Sequence, residues 1–289
     1  MSKKILVVGA TGMLGTPVAR KLLTDGFSVR VLARNPEKAA QKLGDGFEYV
    51  PGDVENPESL RSALAGCDGV HINLAGGSTP EEYDRIEHRG TANVAQAAQE
   101  MGARRLTYLS GTSVRESNTW FYETKAKYQA EQAIIASGAA YTIFRASWFY
   151  ESLPLFVRGK SATMIGKQPH PIHWLAADDY ARMVSRAYQT PDSEKRILYL
   201  YGPEAIPMTD ALRSYCAIAA PKAKISNLPF WLASLFGTLT GNSKLKDVTR
   251  LLAYYEKFQE DNDPGEANTL LGKPTTTLEA WSKNHLMAN

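Results

Sequence analysis

Ile5-Leu6-Val7-Val8-Gly9-Ala10-Thr11-Gly12-Met13-Leu14-Gly15 is the stretch from which the rest of the chain is read. Four consecutive apolar residues are long enough for a strand buried on both faces and far too short for a signal-peptide core. The glycines that follow have separate physical tasks. Gly9 permits a tight turn, Gly12 lets backbone amides approach a pyrophosphate, and Gly15 lets the ensuing helix pack close to the sheet. Thr11, Met13 and Leu14 fill the turn between them and are expected to touch the same bound ligand. The helix they open presents N–H groups and a partial positive charge to an anion. A strand, a glycine turn and a helix in this order predict a dinucleotide-binding βαβ unit.

Outward from that unit the same rhythm recurs. Ile5–Val8, Ser28–Leu32, Phe47–Val50, Val70–Leu74, Leu106–Ser110 and Tyr141–Arg145 read as buried strands. Leu14–Asp25, Pro57–Leu64, Tyr83–Glu100 and Thr124–Ser137 carry helical spacing between them. Strands that alternate with crossover helices imply a parallel sheet covered on both faces. Asn56-Pro57 supplies an N-cap and a first-turn proline. Gly26, Gly102 and Gly138 each follow a helical stretch, where a left-handed residue is expected.

The end of the second strand bears on the cofactor. An acid there would bind the 2′-hydroxyl of NAD. Instead the strand runs Val31-Leu32-Ala33-Arg34-Asn35, and Arg34 offers a planar fork suited to a 2′-phosphate, with Lys38 one helical turn on. NADP(H) is therefore expected over NAD(H). Asp53, beside Val54 after the third strand, is placed to accept from the adenine amino group; a turn or cap role suits it equally. Asn73, Leu74 and Ala75, followed by Gly76-Gly77, end the fourth strand with residues over which a ribose would lie.

Composition narrows the alternatives. The 33 basic and 30 acidic residues are dispersed and leave a net charge of +3, so nothing argues for nucleic acid as a ligand. Cys67 and Cys216 form no C-x-x-C and read as buried reduced thiols, so a cytoplasmic location is expected. No apolar run reaches the roughly 20 residues of a bilayer span. His170-Pro171-Ile172-His173 spaces two imidazoles three apart, but the proline and the lack of a third ligand make no metal site.

After Arg145 the alternation breaks. Ala146–Pro171 is aromatic and irregular, a helix follows near Asp178–Thr190 and a strand at Ile197–Tyr201, and the remainder reads as mostly helical. The fold expected is α/β, a Rossmann-type doubly wound parallel sheet with a smaller, mostly helical C-terminal substrate-binding part. Residues 1–150 and 172–202 would form the NADP-binding domain, and 151–171 with 203–289 the substrate-binding part. Leu228–Leu239 is apolar and is best read as a substrate-cap helix; an interface or a weak membrane-surface contact are the other readings. Oligomeric state stays open, a homodimer included.

The segments GATGMLG, VLARNPEKA, GDVENPESL and SGAAYTIFRASWFYES resemble the atypical short-chain dehydrogenase/reductases, specifically the NmrA-like group. Ala177-Asp178-Asp179-Tyr180-Ala181, Tyr201-Gly202-Pro203-Glu204-Ala205 and Lys273-Pro274-Thr275-Thr276-Thr277-Leu278-Glu279 are similar to it too, so the resemblance runs almost end to end. It implies the same fold and either of two functions. One is an NAD(P)H-dependent reductase of a small apolar or aromatic carbonyl or quinone-type substrate. The other is a non-catalytic NADP(H)-sensing regulator. The wider superfamily uses a Tyr-x-x-x-Lys pair on one helix face. Here Lys127, followed by Glu131, matches the lysine, while the tyrosine position falls on Glu123 and Tyr122 lies about 100° around the helix. Lys127 alone then serves as the acid/base group, or holds the nicotinamide ribose, or is paired with Glu131. Ser110 would orient a substrate carbonyl, or else make local turn bonds. Ala146, Trp148 and Phe149 occupy a position that lies along the nicotinamide in the family, and Trp120 and Phe121 would add apolar walls.

Overall fold

The computed structural model describes residues 2–288. In chain order the elements are β1 (Lys4–Val8), α1 (Gly15–Thr24), β2 (Ser28–Ala33), α2 (Pro36–Leu43), β3 (Glu48–Pro51) and α3 (Pro57–Leu64). They continue with β4 (Gly69–Ile72), α4 (Pro80–Glu82), α5 (Thr91–Glu100), β5 (Arg105–Gly111), α6 (Tyr122–Ala136) and β6 (Ala140–Ala146). Next come β7 (Val157–Arg158), β8 (Ser161–Ile165), β9 (Pro171–Trp174), α7 (Ala177–Ala187), β10 (Arg196–Leu200) and β11 (Glu204–Pro207). The last are α8 (Met208–Ala219), β12 (Lys224–Leu228), α9 (Phe230–Leu239), α10 (Ser243–Tyr255), α11 (Gly265–Leu271) and α12 (Leu278–Ala288). Two compact units result: residues 2–146, 177–200 and 264–273 in one, and 147–176, 201–263 and 274–288 in the other.

The first unit holds a seven-stranded sheet in the order β3-β2-β1-β4-β5-β6-β10, parallel throughout. The doubly wound Rossmann-type fold expected from the sequence is therefore present. Each expected strand lies within two residues of its observed place, because its apolar residues mark the span even where Arg30, His71 or Thr107 interrupts the run. Strand order reverses between β1 and β4, the crevice where open α/β sheets take ligands. Helices flank the sheet: α1 packs on α7, and α5 packs between α3 and α6. Val18, Ala19 and Leu22 turn the apolar stripe of α1 inward. Asn56 accepts N–H bonds from Glu58 and Ser59, and Asn35 does the same for Lys38, so α2 and α3 each start on an Asn-Pro pair. Gly26, Gly102 and Gly138 take positive φ of 88°, 74° and 74°.

Two expectations are corrected. The single helix expected over Tyr83–Glu100 begins instead as an eight-residue π-helix, Tyr83–Gly90, and becomes α-helical only from Thr91. The widened turns carry Glu87 inward, where its side chain is 1% exposed. The second unit is also not merely irregular and helical. Its strands β7, β8 and β12 form one small sheet, and β9 pairs antiparallel with β11. Tyr150, Trp174 and Met208 are fully or almost fully buried in its core, with Trp281 beside them. Strands of two to five residues leave too little alternation to be read locally.

Candidate functional site

The glycine turn is built by contacts that leave no room for a side chain. At Gly9, φ is +82° and a Cβ would stand 1.9 Å from the Asn73 carbonyl oxygen. At Gly15 it would stand 2.1 Å from the Gly9 carbonyl oxygen. Inside the turn the Gly12 N–H donates to Gly9 O at 3.0 Å. The helix that follows starts without a cap, as α9 also does. Whereas α2, α3 and α4 are capped by Asn35, Asn56 and Thr79, α1 has no side-chain cap and no acid in its first turn. An uncapped N-terminus without an acid is a place for an external anion.

A cavity of about 590 Å³ opens over this turn. Among the residues expected at the cofactor, Gly9, Thr11 and Gly12 line it from the turn and Arg34 from the end of β2. Asp53 and Val54 line it after β3, and Asn73, Leu74 and Ala75 after β4. Lys38 and Lys42 of α2 and Glu55 join them. Arg34 and Lys38 are exposed there. Asp53 also makes its turn bond, since its Oδ1 accepts the Glu55 N–H at 3.0 Å. Met13, Leu14 and Gly15 are not in the lining, and Met13 is 47% exposed. A volume of this size with a phosphate-approach turn at one end and cations at the other fits a dinucleotide.

The acid/base candidates form a second cluster near the carboxyl end of β5. Lys127 projects from α6 and donates to Glu87 Oε1 at 3.0 Å and to the Leu109 carbonyl at 3.3 Å. Tyr108 donates its hydroxyl to the same Glu87 oxygen at 2.6 Å. Glu87 Oε2 is buried and accepts no hydrogen bond. Burial first, and the Glu87 carboxylate second, push the Tyr108 phenol well above its usual range, so it remains a donor. Lys127 is thus not the partner of Glu131. That carboxylate instead accepts from Ser110 Oγ at 2.5 Å and from Arg145 Nη2 at 2.6 Å. Ser110, 4% exposed, is engaged in a buried network as well as standing at the strand end.

Tyr122 opens α6, with its ring 5.3 Å from that of Tyr83 and 5.1 Å from Phe121. Ala146 is the last residue of β6 in the first unit. Trp148 and Phe149 belong to the second unit, where Trp148 packs edge-on to Tyr255 at 5.0 Å. Trp120 is 72% exposed and Phe121 buried. His170 and His173 do not act as a pair: His173 Nδ1 lies 2.8 Å from Glu260 Oε2, and its ring stacks on Tyr201 at 4.6 Å. Among the described residues, no three His, Cys, Asp or Glu side chains gather as metal ligands.

With the turn, the cavity and the sheet in place, comparison with known proteins assigns the family: the NAD(P)H-binding profile matches residues 9–169, more than half of the chain. The chain belongs to the NAD(P)H-binding family. The nicotinamide cofactor expected from the glycine turn is upheld by that membership. The NAD(P)H azoreductase of Xenophilus azovorans is 25% identical over 296 residues, spanning 98% of both chains. The photosystem II assembly factor Ycf39 of Trieres chinensis is 26% identical over 268 residues, 90% of this chain and 83% of that one. Among solved structures, the triphenylmethane reductase of Citrobacter sp. complexed with NADP(H) superposes with a TM-score of 0.79. It is 19% identical, covers 98% of this chain and 99% of its own, and shares the fold.

Glu87 is the residue that sequence reasoning missed. Its neighbours, Ile86 and His88, give no apolar pattern that would announce a buried carboxylate. The signal lay in Tyr83–Gly90, a polar stretch read as ordinary helix.

Proposed function

We propose that this chain is an NADPH-dependent reductase of a small apolar, aromatic acceptor of the quinone, azo or conjugated carbonyl class. The observation that carries the reading is the pairing, in one unit, of the dinucleotide cavity with an ordered Lys127–Glu87–Tyr108 cluster at the carboxyl end of β5. Its full-length likeness to an NAD(P)H azoreductase supports the same class.

Gly9, Gly12 and the start of α1 would hold the pyrophosphate, and Arg34 with Lys38 would take the 2′-phosphate. Asn73, Leu74 and Ala75 would floor the ribose. When bound, NADPH supplies a hydride to the acceptor. The acceptor then needs a proton at the heteroatom that gains charge. Lys127 carries that proton on Nζ: the Glu87 carboxylate holds the ammonium in place, Tyr108 holds the carboxylate, and solvent restores the proton through the side of Lys127 that is 24% exposed.

The broken Tyr-x-x-x-Lys pair favours a second reading, a dinucleotide-responsive regulatory or assembly protein without turnover, and the likeness to Ycf39 points the same way. NADPH oxidation with a naphthoquinone and an azo dye separates the two. The expected result is turnover in the wild type and a loss of kcat of about a hundredfold in Lys127→Met/Glu87→Gln at unchanged NADPH affinity. The double variant avoids stranding a buried carboxylate. Tight NADPH binding with no turnover of either acceptor would leave the regulatory reading standing instead.

A further inference from the structure

The helix α9 reverses the usual arrangement of a surface helix. Its sequence, Phe230-Trp231-Leu232-Ala233-Ser234-Leu235-Phe236-Gly237-Thr238-Leu239, contains no charge. The residues it buries are small: Ala233 and Gly237. Four of its large apolar residues face solvent, with Trp231 69%, Leu235 45%, Phe236 47% and Leu239 73% exposed, while Phe230 and Leu232 are partly buried. Trp231, Leu235 and Leu239 stand at i, i+4 and i+8, and Phe236 flanks them, so they make one continuous stripe. Isolated exposed apolar residues are ordinary, whereas a contiguous large-residue stripe on a globular chain marks a docking face.

Charge identifies what docks. The uncharged run Pro229–Gly241 is bracketed by Lys222 and Lys224 on the strand side and by Lys244, Lys246 and Arg250 on the α10 side. Over 221–250 the single acid is Asp247, half-buried beside Arg250 at 3.9 Å. Helix α10 packs on the buried Gly237 face of α9, where a Cβ would lie 3.0 Å from the Lys246 side chain, so the α10 cations border the stripe rather than stand within it. An apolar stripe with a tryptophan at its rim, flanked by five cations and one acid, is complementary to an anionic lipid surface. No helix among the described residues is long and apolar enough to cross a membrane, so the helix would lie on the bilayer rather than span it.

We propose that α9, with Lys222, Lys224, Lys244 and Lys246 around it, is an interfacial membrane-docking face specific for anionic bilayers. This inference is independent of the reductase reading and concerns where the protein works.

The test is co-sedimentation of the full chain with vesicles of phosphatidylcholine alone, or with phosphatidylserine at about one part in three. Binding is expected to the anionic vesicles only and to weaken at high salt. Trp231→Ser/Leu235→Ser/Leu239→Ser and, separately, Lys222→Gln/Lys224→Gln/Lys244→Gln/Lys246→Gln should each lower it by about tenfold or more. A circular dichroism spectrum and thermal melt matching the wild type report that each variant is folded. Three outcomes overturn the proposal. One is no binding by the wild type, and another is equal binding to both vesicles. The third is a wild-type dimer that the serine variant dissociates while vesicles capture neither, which would make the stripe an interface between copies of this chain.

Discussion

Arg34 is where cofactor choice becomes measurable. It is exposed at the rim of the dinucleotide cavity, with no acid beside it on the strand end that would favour a free 2′-hydroxyl. Truncating a guanidinium that binds a phosphate costs about 1.5–3 kcal/mol. Arg34→Ala should therefore weaken NADPH by roughly ten- to a hundredfold in a fluorescence titration and leave NADH within about twofold. An equal effect on both would show that Arg34 does not read the 2′-phosphate. The places of Arg34, Gly9 and Gly12 around the cavity were legible in the sequence because each is set within its own strand-turn-helix. Glu87 was not, because its role exists only after β5 and α6 bring Tyr108 and Lys127 against it, 21 and 40 positions away. Local spacing likewise suggested Glu131 for Lys127, and the fold gave Glu131 to Ser110 and Arg145.

Helix starts separate structure from function in this chain. The side chain of Asn56 satisfies two first-turn N–H groups of α3, each at 3.1 Å. Asn56→Ala should cost about 1 kcal/mol in urea denaturation. Asn56 is not in the lining of the large cavity but borders a smaller hollow with Arg34, Gly52 and Asp53, so NADPH affinity should fall by no more than about threefold. A fall in affinity of about tenfold would mean that α3 and the loop after β3 are coupled to the site. By contrast, α1 has no such cap to remove, and its start was read as an anion site from the glycine turn that precedes it. Strands of the first unit and the start of α3 at Asn56-Pro57 were legible because apolar runs and Asn-Pro starts are written locally, whereas α2, which opens on the same kind of pair at Asn35-Pro36, was not read. The π-helical turns of Tyr83–Gly90 were not, since that segment has the polarity and composition of an ordinary exposed helix. Nor was β12, which exists as a strand only through β8 far back along the chain, nor the short β7–β8 hairpin that it joins.

The sheet as a whole carries a titratable group in its middle. His71 sits on β4 between β1 and β5 and is fully buried. Its Nδ1 lies 2.8 Å from Thr107 Oγ1, and that hydroxyl lies 2.9 Å from the Tyr188 phenol. Its Nε2 lies 3.4 Å from the Tyr180 hydroxyl. Both ring nitrogens thus face neutral groups, and burial pushes the imidazole down from 6.5 to about 3. In the unfolded chain the same residue takes up a proton near pH 6.5, so between 6.5 and 3 the unfolded state holds the extra proton. Stability contributed by the neutral imidazole is complete above pH 6.5, begins to fall below it, and is gone once the pH passes below about 3. The slope from one proton is at most about 1.4 kcal/mol per pH unit. His71→Gln keeps a polar group near Thr107 but cannot titrate. Urea denaturation at intervals between pH 7 and about 5 should show wild-type stability falling more steeply than that of the variant, although the variant starts lower. The interval also stays above three paired carboxylates. Hydrogen bonds from Arg30 and from His88 hold Glu48 and Asp84 below their usual range, and at Asp25 burial is outweighed by the bonds from Lys21 and Ser185. Parallel lines for wild type and variant would mean that His71 is protonated in the folded sheet, and that the Thr107–Tyr188 chain opens to admit the charge.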